Sequence, residues 1–177
     1  EKIFCERVYA PAVDMENMMR EKNIPLFALE SREPITNFDV IAFTLQYELS
    51  YTNILNMLDL ANVPILRTER KLDDPFILVG GPCAYNVEPM ADFVDIVVLG
   101  EGEEVNLEIL NAYKEWKKNK TTREDFLYQI SSIEGVYIPS FYDVTYNEDN
   151  TVKEVVPNRE NIPSKPHKRI IKDVENV

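Results

Sequence analysis

Two short glycine turns are the residues of this sequence best suited to hold a ligand. They contain four of the five glycines in the chain and read Gly80-Gly81-Pro82 and Gly100-Glu101-Gly102. Glycine carries no Cβ and adopts positive φ at little cost, so a ligand can approach the backbone closely at such positions. Each turn taken alone also fits an ordinary exit from a strand, so the pattern leaves both interpretations open.

The second turn is poorly suited to a phosphate. It matches neither the dinucleotide-binding pattern GxGxxG nor the P-loop pattern that ends in Gly-Lys-Ser/Thr. Glu101, Glu103 and Glu104 crowd the start of the helix that follows. Their carboxylates satisfy the helix dipole themselves and repel a phosphate placed there. The sequence therefore disfavours a nucleoside triphosphate site.

The other reactive side chains do not assemble a catalytic motif. His167 is the only histidine and lies in a basic C-terminal stretch, which excludes a triad or a metal site built on several histidines. Cys5 and Cys83 are interpreted as small buried hydrophobic residues. Clustered carboxylates suit acid–base chemistry, although surface charge is the simpler explanation in so acidic a chain; they are Glu88, Asp92, Asp95, Glu101 and Glu103.

Composition limits the partners and the setting. The chain has 19 Lys and Arg against 31 Asp and Glu, a net charge of −12, and such a surface repels nucleic acid and anionic lipid. No apolar run approaches the roughly 20 residues that span a membrane. Two cysteines are too few for a disulfide framework, which predicts a cytoplasmic protein. The first residue is Glu1 rather than Met, which suggests a piece of a longer protein.

The elements that must position the two turns are buried strands. Phe76–Val79 and Ile96–Leu99 are short apolar runs that stop at glycine, as strands of a parallel sheet do. Because the segment Ala84–Asp95 is long enough for a crossover, both turns should lie at one carboxyl edge, where open α/β sheets bind ligands. The strand Phe38–Leu45 brings Thr44 and Gln46 to the same edge.

Alternating helical and extended patterns predict an α/β fold with a doubly wound parallel sheet and helices on both faces. Further strands are expected at Ile3–Tyr9, Leu26–Leu29 and Pro64–Leu66. Helices are expected after Asp14, after Ser50 or Thr52, over Glu104–Lys118 and from a capping box at Thr121–Glu124, the last ending at Gly135.

Beyond Gly135 the alternation of predicted helices and strands ends. Residues from Val136 onward alternate around the turn Asn147–Asn150, which predicts a β-hairpin, and a proline-containing linker follows it. The linker carries a basic patch of Lys165, Lys168, Arg169 and Lys172. This patch could bind the acidic surface of the domain or another domain. The simpler interpretation is that it forms a solvated tail.

In combination, these motifs resemble a known family. The string GGPCAYNVEPMADFVDIVVLGEGEE is similar to the N-terminal cobalamin-binding-like domain of radical SAM proteins. The segments ERVYAPAVDMENMM, FTLQYELSYTNILNMLDLANVPI, GVYIPSFYDVTYN and KRIIKDVENV extend the resemblance, to an uncharacterised subfamily labelled Fe–S oxidoreductases. It implies a Rossmann-like (flavodoxin- or cobalamin-binding-like) domain at 1–135, and a β-hairpin and linker at 136–177 leading to a radical SAM barrel of the same parent chain.

The resemblance also implies cofactors. The barrel of such proteins carries a CxxxCxxC motif whose [4Fe–4S] cluster cleaves S-adenosylmethionine, and this chain has no such motif, so it is not expected to catalyse radical chemistry alone. It also lacks the Asp-x-His-x-x-Gly motif whose histidine ligates cobalt. Cobalamin without a protein ligand would lie against Thr44, Gln46, Gly80, Gly81, Pro82, Gly100, Glu101 and Gly102.

Three functions remain open at this point. One is a domain that binds cobalamin across the glycine turns without a histidine ligand. The second is a structural or docking module, free of cofactor, that shapes substrate access to the barrel. The third and weakest is an FMN carrier, since the fold permits one but no hydroxyl-rich phosphate cradle is visible.

Overall fold

The computed structural model describes residues 3–119 and 121–172, so the end of the predicted linker, 173–177, lies outside the described residues. Within these residues the α-helices are α1 (Val13–Lys22), α2 (Tyr51–Leu60), α3 (Gly102–Asn119) and α4 (Arg123–Ile130). The strands are β1 (Val40–Thr44), β2 (Phe76–Gly80), β3 (Ile96–Val98), β4 (Val136–Tyr137), β5 (Tyr142–Tyr146) and β6 (Val152–Pro157). Among these residues, no helix is both long and apolar enough to cross a membrane.

The main sheet has the order β1-β2-β3-β4. β1 pairs with β2 and β2 with β3 in parallel, which confirms the predicted parallel core. β4 pairs antiparallel with β3, so Val136 and Tyr137 belong to this sheet rather than to the hairpin predicted to start there. The hairpin itself is confirmed as a separate two-stranded sheet of β5 and β6.

Side chains alternate across the strands and build two cores, one on each face of the sheet. Ile77, Val79 and Val97 pack with α1 and α2 on one face. Phe76, Leu78, Ile96 and Val98 pack with α3 and α4 on the other. Strands covered on both faces read as continuous apolar runs, which is why β2 and β3 were predictable. The α/β class with helices on both faces is confirmed.

Three predicted strands are wrong. Ile3–Tyr9 forms no ladder, because Glu6 and Arg7 bind the turn at Glu30 and Ser31 instead. Leu26–Leu29 contributes one isolated bridge, between Phe27 and Pro34. Pro64–Leu66 is not a strand either, since the carbonyls of Pro64 and Ile65 accept hydrogen bonds from Arg70.

Helix boundaries needed smaller corrections. α1 starts after Ala12, so Asp14 lies in its first turn rather than at the N-cap. Ser50 precedes α2 but its hydroxyl donates to the Tyr47 carbonyl and does not cap the helix. The predicted capping box opens α4 one residue later, between Thr122 and Asp125. α4 ends at Ile130, before Gly135.

Candidate functional site

The carboxyl ends of the parallel strands bring both glycine turns to one edge of the sheet. Thr44 pairs with Gly80 in register, and Val79 pairs with Val97. A Cβ built on Gly80 would lie 3.7 Å from the Val98 Cβ. The predicted shared edge is therefore confirmed.

The chain leaves β2 and β3 toward opposite faces of the sheet. After β2 it enters a short 3-10 helix, Pro82–Asn86, whose Ala84 packs in the α1–α2 core. After β3 it enters α3, whose Val105 and Ile109 pack in the other core. Such a reversal of direction between neighbouring strands is where open α/β sheets place their ligands.

The first turn packs closely on the exit of β1. Gly81 has φ +98°, and a Cβ there would meet the Leu45 carbonyl oxygen and the Thr44 Cγ2, each at 3.0 Å. Cys83 N donates to Leu45 O over 3.0 Å, and the Tyr51 hydroxyl donates to Asn86 O over 2.9 Å. Gly81 is thus required by the protein's own packing.

The second turn is covered by the C-terminal segment of the chain. Gly100 has φ +94° and forms a parallel bridge with Arg169. Arg169 N donates to Leu99 O over 2.8 Å, and Glu101 N donates to Arg169 O over 3.2 Å. A Cβ on Gly100 would lie 2.2 Å from Arg169 O, so the close backbone approach that this glycine permits is made by Arg169.

The side chains around Arg169 complete this contact. Its guanidinium donates to Glu104 Oε2 from Nε at 3.1 Å and from a terminal nitrogen at 2.8 Å, and it also binds Glu108. Ile171 N donates to the Glu101 carboxylate. The hydrogen bonds to Glu104 raise the pKa of Arg169. For Arg169 the docking interpretation of the basic patch is therefore confirmed.

The eight residues predicted from the resemblance lie along this edge but differ in exposure. The glycines are half-buried, whereas the exposed members are Thr44, Gln46, Pro82 and Glu101. The exits of β1 and β2 bring the first three together, and Glu101 lies on the turn that Arg169 covers. Cofactor binding by these residues stays a prediction.

The predicted carboxylate cluster is dispersed. Glu88 accepts a hydrogen bond from the Tyr137 hydroxyl, and burial together with this bond raises the pKa of that tyrosine. Asp95 is buried at the start of β3, at the opposite edge from Glu101. In the described part of the chain, no three His, Cys, Asp or Glu residues form a group that could hold a metal ion.

The cysteines differ from the interpretation as buried hydrophobic residues. Cys5 is exposed and Cys83 is half-buried, and neither forms a disulfide. Partial burial and the nearby Glu48 raise the pKa of the Cys83 thiol. A raised pKa leaves little thiolate near neutral pH, so Cys83 is not an activated nucleophile.

Two features escaped the sequence analysis. Arg169 was visible only as one member of a basic patch in an acidic chain, and nothing local paired it with Gly100. A buried cluster of Arg70, Asp95 and Arg123 was hidden because its members come from three separate segments. The signal that existed was Asp95, a carboxylate directly preceding a continuously apolar strand.

Comparison with known proteins identifies the family. The family model described as "Radical SAM proteins, N-terminal" matches residues 1–139, most of the chain and both glycine turns. The chain belongs to this family. This radical SAM N-terminal domain is also 35% identical, over 143 residues, to an uncharacterized protein of Methanocaldococcus jannaschii. The match covers 69% of this chain and 30% of that relative, so the chain spans less than a third of the relative's length. No solved structure matches the chain.

Proposed function

We propose that this domain is a cofactor-free docking module of a radical SAM iron–sulfur protein. In this proposal the parent chain carries a catalytic barrel with the [4Fe–4S] cluster and S-adenosylmethionine, and the domain fixes how the barrel is attached. Family membership supports the parent class. With two cysteines in all, this chain does not supply the three thiolates of a CxxxCxxC cluster site.

The observation that carries the proposal is the bridge between Gly100 and Arg169. It joins the sheet edge to the segment that follows the hairpin, through two backbone hydrogen bonds and the ion pairs of Arg169 with Glu104 and Glu108. Charge-assisted hydrogen bonds of this kind are stronger than neutral ones. Residues 169–171 are therefore held against the edge of the sheet at which open α/β folds bind ligands.

A second candidate is cobalamin bound without a protein ligand to cobalt. The observation in its favour is the exposure of Thr44, Gln46 and Pro82 at the exits of β1 and β2. Backbone approach to Gly100 is already made by Arg169, so a corrin ring reaching both turns would have to displace residues 169–171. When bound, cobalamin would supply a reactive cobalt–carbon bond, and Thr44 and Gln46 would donate hydrogen bonds to it.

Titration with hydroxocobalamin, followed by absorbance, separates the two candidates. The docking module predicts no saturable spectral change tighter than about 1 mM, equivalent to about 4 kcal/mol. A tighter change that Gln46→Ala weakens, and that Gln129→Ala on the exposed side of α4 leaves intact, would establish the cobalamin candidate instead.

The anchoring role has its own test in hydrogen exchange of residues 163–172. Arg169→Gln removes the bonds to Glu104 and Glu108, so exchange in this segment should accelerate. Lys168→Gln makes the same charge change at an exposed neighbouring residue and should leave exchange as in the wild type. Equal protection in Arg169→Gln and the wild type would refute the anchor.

A further inference from the structure

A cavity lies at the opposite edge of the sheet from the glycine turns, beneath the amino ends of β2 and β3. It encloses about 280 Å³. Its lining combines the loop before β2, the residue before β3, the start of α4, the turn after β4 and the loop after β6. It consists of Arg67, Arg70, Asp95, Arg123, Glu124, Leu127, Ser140, Phe141 and Arg159. Of the candidate functional residues named from the sequence, Asp95 alone lines this cavity.

The lining is strongly basic. It contains four arginines and two carboxylates, which gives it a net charge of +2 in a chain whose net charge is −12. If these arginines only neutralised nearby acidic side chains, the lining would contain as many carboxylates as arginines. A local excess of positive charge inside a cavity instead favours an anion there.

The inner wall is a buried carboxylate shared by two guanidinium groups. Asp95 Oδ2 lies 2.9 Å from Arg70 and 3.2 Å from Arg123, and it also accepts from Ile77 N at 2.7 Å. The Arg70 side chain is fully buried, and burial lowers its pKa. Further donors of both groups bind main-chain carbonyl oxygens, those of Arg70 at Pro64, Ile65 and Phe93 and those of Arg123 at Lys71, Asp74 and Pro75. The inner wall therefore contributes one net positive charge, and most of its donors are already bonded.

The outer wall has hydrogen-bond donors to spare. Arg67 Nε donates to Ala91 O over 3.1 Å, and its two terminal amino groups have no partner within the described ranges. Arg159 stacks over Phe141, with the guanidinium carbon 4.5 Å from the ring centre, and pairs with Glu124. That pair is solvent-exposed and therefore weak, so an anion can compete with Glu124 for Arg159.

The helix dipole is not the source of this preference. Its first turn carries the carboxylates of Glu124 and Asp125, which already complement the dipole, and the capping box uses the backbone amides of Thr122 and Asp125. The side-chain donors at the mouth of the cavity are the guanidinium groups of Arg67 and Arg159, which come from different loops. Guanidinium groups bind carboxylate and phosphate bidentately, and a phosphate has additional oxygens through which a second guanidinium group can bind the same ligand.

We propose that this arginine cavity binds a phosphate group, either free phosphate or the phosphate of a small phosphomonoester. Arg67 and Arg159 would hold the oxygens at the mouth, and Arg123 with Arg70 would supply charge from the inner wall. The inference stands independently of the glycine edge and of the proposed docking function.

Binding is tested by titrating inorganic phosphate into the 177-residue chain in low-salt buffer, with calorimetry and amide chemical shifts as readouts. We expect a Kd of about 1 mM or tighter. Arg67→Gln and Arg159→Gln should each weaken binding about tenfold, as expected for the loss of one charge-assisted partner, and the double variant should abolish it. Both positions are at least partly exposed, so the variants should fold, which unchanged circular dichroism verifies.

The matched control is Arg32→Gln, which removes the same charge from an exposed turn outside the cavity. It should retain wild-type affinity; an equal loss in this variant would show diffuse electrostatic attraction and overturn the proposal. Absence of phosphate binding, or succinate binding as tightly as phosphate, would also overturn it. Methyl phosphate binding as well as phosphate supports a phosphomonoester ligand, and its exclusion supports free phosphate.

Discussion

Gly100 and Gly135 allow the same stretch of backbone to approach the sheet. A Cβ on Gly100 would overlap the Arg169 backbone, and one on Gly135 would lie 2.9 Å from the Arg169 Cβ and 3.1 Å from Leu99 O. Both residues also have positive φ, near +95°. Their role is to admit residue 169 beside β3, a packing requirement as strict as any that a ligand would impose.

Substituting alanine for Gly100 should therefore destabilise the protein. The added methyl group meets Arg169 and forces a strained φ, so we expect the free energy of unfolding to fall by about 1–3 kcal/mol. Gly80→Ala is the matched control, because its Cβ would meet only Val98, at an ordinary 3.7 Å, and its φ is not positive. Urea denaturation of the two variants measures the difference, and equal stabilities would contradict the assigned role of Gly100.

Side-chain hydrogen bonds at its first residues stabilise the short helix α4. It has only eight residues, and its capping box satisfies two backbone donors, since Asp125 N donates to the Thr122 hydroxyl and Thr122 N donates to Asp125. Phe126 and Ile130 then reach the core of the sheet. A helix this short is marginal without such help.

The capping box predicts that the free energy of unfolding depends on pH. The hydrogen bond from Thr122 N lowers the pKa of Asp125 below its usual value of 3.8. A carboxylate whose pKa is lower in the folded state stabilises the protein above its unfolded pKa, and this stabilisation is lost as pH falls through the folded pKa. Asp125→Asn should thus be less stable than the wild type at pH 7, and the gap should close in strong acid.

Chemical denaturation of both proteins from pH 7 to pH 2 measures this gap. Thr122→Ala, which removes the hydroxyl half of the box, should cost about 1 kcal/mol at pH 7. A gap for Asp125→Asn that persists unchanged at the lowest pH would show that its charge plays no part.

Burial decreases from the central strands of the main sheet to the separate β5–β6 hairpin. β2 and β3 lie between two cores, whereas β6 is exposed along almost its entire length and, in the described part of the chain, has β5 as its one partner strand. β1 forms the outer edge, with no second partner strand among the described residues, and borders a cavity of about 740 Å³. Isolated two-stranded hairpins have little stability of their own in water.

Hydrogen exchange should follow this gradient of burial. We expect the amides of Ile77–Val79 to exchange slowest, at rates set by global unfolding, and those of the β5–β6 hairpin to exchange fastest among the strands. Exchange monitored by mass spectrometry over minutes to hours provides the measurement. Hairpin protection equal to that of β2 would mean that the hairpin and the main sheet unfold together.

Much of the fold follows from local patterns. Continuous apolar runs ending in glycine were enough to place β2 and β3 and to predict that both turns share an edge, because strands buried on both faces leave a distinctive composition. Helical periodicity located α2 and α3, because each helix packs one apolar face against the sheet and exposes the other. The capping box was recognised but placed one residue early, since Thr121 and Thr122 are equally good capping residues.

The remaining features depend on pairings between segments far apart in the chain, which local composition does not encode. β4 has two residues, too few for a pattern, and its antiparallel direction follows from where α3 and α4 return the chain. Arg169 reaches Glu104 across 65 residues, and Asp95 meets Arg70 and Arg123 across 25 and 28 residues. Such contacts are selected by packing and by neutralisation of charge in the folded molecule, where burial makes an unpaired group costly.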